Sequence, residues 1–78
     1  MVIHATKVDY RNAFAGLVFP ASKDQIVLRS RTQGGIDREV FAILASIPTH
    51  SYHSMEQLED AIRGVYIVRG ESPDELPV

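Results

Sequence analysis

Several clusters of polar side chains in this sequence have types and spacing that could do chemistry. His50-Ser51-Tyr52-His53 sets two imidazoles three residues apart, with Glu56 close behind. Zinc or another divalent metal accepts imidazole and carboxylate ligands, but a catalytic site needs a third protein ligand and an open position. Only His4, Glu56 or Glu59 could complete such a set, and the chain has no Cys. Solvated loop histidines are the simpler reading, and no metal site is assigned. Glu56 and Asp60 stand at i and i+4 with Glu59 between them, as paired acid/base carboxylates might. The same acids fall in the opening turns of a helix, where negative charge favours the helix dipole. Ser46 and Ser54 lack the His and Asp context of a nucleophilic serine. Gly34-Gly35 lacks the Lys-Ser/Thr and the preceding strand of a phosphate loop. No catalytic residue is assigned.

Arg29, Arg31 and Arg38 gather around Gly34-Gly35, with Lys23 and Arg11 on neighbouring segments. A helix, a Gly-Gly turn and a second helix could form a helix-turn-helix, with these arginines gripping phosphate or reading guanine. The would-be recognition helix, Arg38-Glu39-Val40-Phe41-Ala42-Ile43-Leu44-Ala45-Ser46, is mostly apolar and offers no Asn, Gln or Lys to base edges. The net charge of −2 argues the same way. Residues 70–78 hold Glu71, Asp74 and Glu75 and no base, which leaves eight bases and seven acids on the body, a charge of +1. A nearly neutral body supplies little of the electrostatic attraction on which nucleic-acid binding rests.

The elements that must position these residues follow from length and pattern. Seventy-eight residues, 45% of them apolar, make one domain whose stability is a small difference between large terms. Without Cys that domain has no disulfide to fall back on. Tyr10, Ala13, Phe14 and Leu17 recur at i, i+3, i+4 and i+7 behind Thr6, so a first helix is expected near residues 6–16. Phe19-Pro20-Ala21 reads as an extended link. Ser22-Lys23-Asp24-Gln25 is a capping box that opens a second helix over 23–32, with Ile26, Val27 and Ser30 inward, stopped by Gly34-Gly35. Asp37 caps a third helix whose buried stripe is Val40, Ile43, Leu44 and Ile47, ended by Pro48. Ser54-Met55-Glu56-Gln57 repeats the capping pattern. It opens a fourth helix over 55–64, with Met55, Leu58, Ala61, Ile62 and Val65 on one face and Gly64 at its end. Val65-Tyr66-Ile67-Val68 is β-branched and aromatic, and could pair with Val2-Ile3 as a two-stranded edge.

Two segments resemble a known family. Phe14-Ala15-Gly16-Leu17-Val18-Phe19-Pro20-Ala21-Ser22-Lys23 is similar to the L-x-G-x-x-F-P-A-S-K opening of the bacterial domain of unknown function 2795. Leu44-Ala45-Ser46-Ile47-Pro48, followed by Tyr52, Ser54, Leu58 and Ala61-Ile62, is similar to its L-x-x-L-P-x-x-x-Y-x-S segment and last amphipathic helix. The resemblance covers about residues 8 to 64 and implies a small all-helical domain, with no activity to carry over. The sequence departs from the family at Gly34-Gly35-Ile36, at Leu28, and in the added stretch 65–68.

Leu28 and Phe41 fall off the inward stripes of their helices, and with Tyr66 and Ile67 they could form an exposed apolar patch. The expectation is therefore an all-α, four-helix domain over residues 1–69, with a short two-stranded edge and an acidic, Pro-containing, disordered tail over 70–78. Its expected role is that of a non-catalytic protein-interaction or adaptor module. It would meet another protein, or itself as a homodimer, through Leu28, Phe41, Tyr66 and Ile67. The alternative is a nucleic-acid-binding protein using Arg29, Arg31 and Arg38. No cofactor is expected. Apolar runs no longer than six residues, as at 40–45, exclude a membrane helix, and the N-terminus lacks the pattern of a signal peptide, so a cytoplasmic protein is expected.

Overall fold

The structure, a computed structural model, describes residues 3–78. It holds four helices: α1 (Lys7–Ala13), α2 (Lys23–Gln33), α3 (Arg38–Ser46) and α4 (Met55–Val68). Two-residue strands β1 (Ala21–Ser22) and β2 (Ser51–Tyr52) precede α2 and α4, and one 3-10 turn lies at Pro73–Glu75. α3 is the central element and packs against α1, α2 and α4. Its stripe of Val40, Ile43, Leu44 and Ile47 is buried, as the spacing requires. Ile26 of α2 and Leu58 and Ile62 of α4 close on it, each fully buried. A fully buried side chain of this kind contributes about 1.5–3 kcal/mol through loss of apolar surface from water.

The helix starts are set by local chemistry. Thr6 and Ser22 each accept a hydrogen bond from the amide three residues on, while Asp9 and Gln25 reach back to the cap amide. Asp37 accepts from the Glu39 amide at 2.8 Å. Ser54 accepts from the Gln57 amide, but Gln57 Oε1 accepts from His53 N, one residue before the cap, so the second box closes one position early.

Two of the expected ends differ. α1 stops at Ala13, and the chain turns through Gly16, whose φ of 76° an L side chain adopts only at a cost. The Arg29 guanidinium lies over the Gly16 Cα, where a Cβ would collide with it. α4 does not end at Gly64 but runs to Val68. Leu58, Ile62 and Tyr66 form one i, i+4, i+8 stripe, and burial of Tyr66 carries the helix past a glycine that costs about 1 kcal/mol relative to Ala. The stop is Gly70, with φ 95°. Its amide donates to Ile67 O and that of Glu71 to Tyr66 O, the paired bonds that satisfy the last carbonyls of a helix.

The small sheet is therefore not the expected one. Residues 65–68 are helical and cannot pair with the N-terminus; Val2, the other half of that expectation, lies outside the described residues. The pairing is antiparallel between β1 and β2, with Ala21 opposite Tyr52 and Ser22 opposite Ser51. It joins the two family-like segments. β1 follows a cis Phe19–Pro20 peptide bond and leads into the Ser22 cap. Lys23 Nζ then donates to Ala45 O at 2.8 Å and Ile47 O at 3.0 Å, placing a cation on the carbonyl end of α3. Tyr52, fully buried, donates its hydroxyl to Pro48 O at 2.6 Å and ties the loop that carries β2.

Residues 70–78 are also placed differently from the disorder expected of them. After the 3-10 turn Leu76 enters the core and Pro77 is buried with it, while Asp74 and Glu75 stay exposed. The apolar residues that follow the acids supply the contact.

Replacing Lys23 with Met keeps the stem and removes both carbonyl contacts. Lys23→Met is expected to lower stability by about 1 kcal/mol, read as a reduced urea midpoint at unchanged slope. An unchanged midpoint would mean that the Lys23 contacts do not hold the end of α3.

Candidate functional site

The four residues expected at an interface part company in the structure. Tyr66 is fully buried and cannot serve as a contact. Its phenol is committed inside: Tyr66 Oη donates to Glu39 Oε2 at 2.7 Å and lies 2.6 Å from Tyr10 Oη. With its one proton given to the carboxylate, Tyr66 accepts from Tyr10. Phe41 is half-buried. Leu28 and Ile67 are exposed, at 64% and 48%, but on different surfaces. Leu28 sits on α2 in a shallow groove with Leu17, Val18 and Thr32, none of it shared with α4.

The arginines divide in the same way. Arg29 Nε donates to Ala15 O at 2.8 Å and Gln33 Nε2 to the same carbonyl at 2.9 Å, so Arg29 fastens the turn after α1. Arg31 and Arg38 are exposed. The helix that would have to enter a DNA groove, α3, is the centre of the core, with Glu39, Val40, Ile43 and Leu44 buried. Its exposed positions past Arg38 are Ala42, Ala45 and Ser46.

Of the two loop histidines, His50 is engaged by local structure. The His50 ring stacks on Tyr52, with centroids 4.3 Å apart, and its Nδ1 lies 2.9 Å from Ser51 O. Among the described residues no three His, Asp or Glu side chains converge on a metal-sized site. Asp60 pairs with Arg63 one turn on, and Glu56 is exposed in the first turn of α4.

Glu39, which lies off the expected inward stripe of α3, is the one buried carboxylate among the described residues, 8% exposed. It accepts His4 N at 2.9 Å on Oε1, and Ala5 N at 3.2 Å and Tyr66 Oη on Oε2. A buried carboxylate is tolerated only when hydrogen-bonded, and here every buried side-chain polar atom among the described residues has a partner. The available signal was the phase of Glu39, one residue before Val40 and four before Ile43 on the inward stripe.

Comparison with known proteins adds one finding. Residues 6–59 match the family described as protein of unknown function (DUF2795). The chain belongs to that family. Neither the curated proteins nor the solved structures contain a match. The DUF2795 segments quoted above now have structural roles. Gly16 makes the turn, Ser22 caps α2, Lys23 closes α3, Pro48 and Tyr52 fix the loop, and Ser54 caps α4. Among the described residues no helix is long and apolar enough to cross a membrane.

What the scaffold leaves outward is an apolar groove of about 450 Å³ along the second half of α4. Ala61, Gly64, Val65 and Val68 line it at i, i+3, i+4 and i+7, and Pro48 forms its far wall. Arg69 closes one end with Nη2 donating to Ser46 Oγ at 3.3 Å. Val68 is 87% exposed.

The tyrosines make the buried network visible to titration. Burial pushes the Tyr66 phenol above its ordinary value, and the bonds to Tyr10 and Glu39 push the same way. Burial also raises Tyr10, reinforced by the Glu39 charge, and burial raises Tyr52. An acid whose folded pKa is raised stabilises the fold fully below its unfolded pKa, about 10 for Tyr, and loses that stability as pH rises beyond it. Tyrosinate absorbance is therefore expected to appear only together with loss of the helical circular-dichroism signal above about pH 10. Phenolate formation in a chain that keeps its helical signal would contradict the buried network.

Proposed function

We propose that this chain is a non-catalytic protein-interaction module that pairs with a second copy through the outward face of α4. The observation that carries the reading is the groove of Ala61, Gly64, Val65 and Val68, apolar and open along two turns of helix. Gly64 sharpens it. A Cβ built there meets nothing within 4 Å, so no internal packing requires glycine, although glycine weakens the helix. A bare backbone in an apolar stripe lets a second helix approach closely. A two-fold arrangement would seat each copy's Val65 and Val68 against the other's Ala61 and Gly64, a self-complementary contact of the kind symmetric dimers use. Ile67, 48% exposed on the same helix, borders this face and is the one expected interface residue that stays with it.

Support over a nucleic-acid role comes from Arg29, engaged by Ala15, and from the central position of α3. Support over an enzymatic role comes from the internal commitments of Glu39, Tyr10, Tyr66 and Tyr52 to backbone and to one another.

The test is the solution mass across a concentration series, by sedimentation or light scattering. The mass is expected to rise from monomer to dimer, and Val68→Asp to hold it at monomer. Val68 is almost fully exposed, so Val68→Asp is expected to change stability by less than about 0.5 kcal/mol. A mass that stays monomeric at all concentrations would contradict pairing through this face.

A further inference from the structure

A second groove, of about 310 Å³, lies between the turn that follows α1 and the outer face of α2, within the part of the chain that carries the family match. Its apolar lining is Leu17, Val18 and Leu28. Val18 is 78% exposed and Leu28 64%, so the fold itself makes little use of either. Single apolar side chains in solvent are ordinary, but two that share one groove point to a contact. No Asp or Glu lines it.

The cation of the groove is held in place. Arg29 Nε donates to Ala15 O at 2.8 Å, and the guanidinium lies over Gly16, where a Cβ would collide with Nη2. Gly16 is therefore required twice, by its φ of 76° and by the room it leaves for Arg29. With Nε committed, the Nη edge remains, and among the described residues it has no acceptor. A guanidinium already fixed in this way is a two-pronged donor for a carboxylate, with less side-chain freedom left to lose on binding. The rim adds an amide and a hydroxyl. Gln25 accepts the Ser22 amide on Oε1 and keeps Nε2 as a donor. Thr32 donates its hydroxyl to Arg29 O and keeps Oγ1 as an acceptor. One donor and one acceptor beside aliphatic side chains suit the main chain of an extended polypeptide, which offers C=O and N–H in turn. A phosphate backbone would use the arginine and leave the aliphatic side chains unmatched.

We propose that this groove docks an extended segment of another protein that carries an acidic side chain next to an aliphatic one. The carboxylate takes the Nη edge of Arg29. The aliphatic side chain lies against Val18 and Leu28, and the main chain meets Gln25 Nε2 and Thr32 Oγ1. The groove shares no residue with the α4 face proposed for pairing, so each can fail without the other.

The test is a titration of the full chain with an end-capped peptide, Ser-Leu-Glu-Leu-Ser, followed through the amide resonances in two-dimensional NMR. Saturable shifts are expected at Leu17, Val18, Leu28 and Thr32, with those of Ala61 to Val68 unmoved. The peptide with Gln in place of Glu is expected to bind about tenfold more weakly, since it loses the charge-assisted bond. Leu28→Asp places an acid where the peptide carries its own and removes an aliphatic wall. Leu28 is exposed, so this variant is expected to keep the helical circular-dichroism signal and to lose the shifts. Three results would each overturn the proposal. One is the absence of shifts in the groove up to millimolar peptide, and another is their persistence in Leu28→Asp. The third is inorganic phosphate moving the same resonances as far as the peptide does, which would make the groove an anion site only.

Discussion

The carboxylate of Glu39 is the point at which this small chain is drawn together. It lies on the first turn of the central helix, out of water, and takes hydrogen bonds from the N-terminal segment at His4 and Ala5 and from α4 at Tyr66. Tyr10 extends the chain of bonds into α1. Three parts of the molecule distant in sequence are thereby fixed around one charge. A carboxylate buried without such donors would cost several kcal/mol, so the network and the close packing around it stand or fall together. With 78 residues and no disulfide, the fold has little else to impose a unique arrangement on its short helices.

A second constraint works at the opposite end of the helices. The β1–β2 pair, the Lys23 bonds to the end of α3 and the Tyr52 bond to Pro48 clasp the two segments that mark the family. Each of those residues closes a backbone group that would otherwise be unsatisfied, which is a sufficient physical account of why the family pattern has these residue types at these spacings. The outward face of α4 from Ala61 onward and residues 70–78 lie outside the matched segment.

The helical core was legible in the sequence because its signals are local. Capping by Thr6, Ser22, Asp37 and Ser54, and the apolar period of residues 40–47, depend on neighbours within a turn or two. The roles of Tyr66 and Glu39 are hidden in the sequence because each is polar at one end and its partner lies far along the chain. Tyr66 looks like a strand or surface residue until Glu39 and Tyr10 are brought to it across 27 and 56 positions. Gly64 looks like a helix end for the same reason, since only burial of Tyr66 carries the helix past it. Leu76 was hidden by the acids before it. Of the expected contact residues, Ile67 is on the open face of α4, Leu28 is exposed elsewhere, Phe41 is half-buried and Tyr66 belongs to the core.

The dependence of the fold on the Glu39 carboxylate can be measured directly by a double-mutant cycle. Glu39→Gln and Tyr66→Phe, singly and together, each preserve shape while removing one side of the bond. Urea unfolding of the four proteins gives the coupling between the two sites, expected at about 1.5–3 kcal/mol for a buried hydrogen bond to a charged group. Such a coupling, with each single variant markedly less stable than the parent, would place the carboxylate at the centre of the fold. Additive effects with no coupling would contradict that account and leave apolar packing alone to hold the helices.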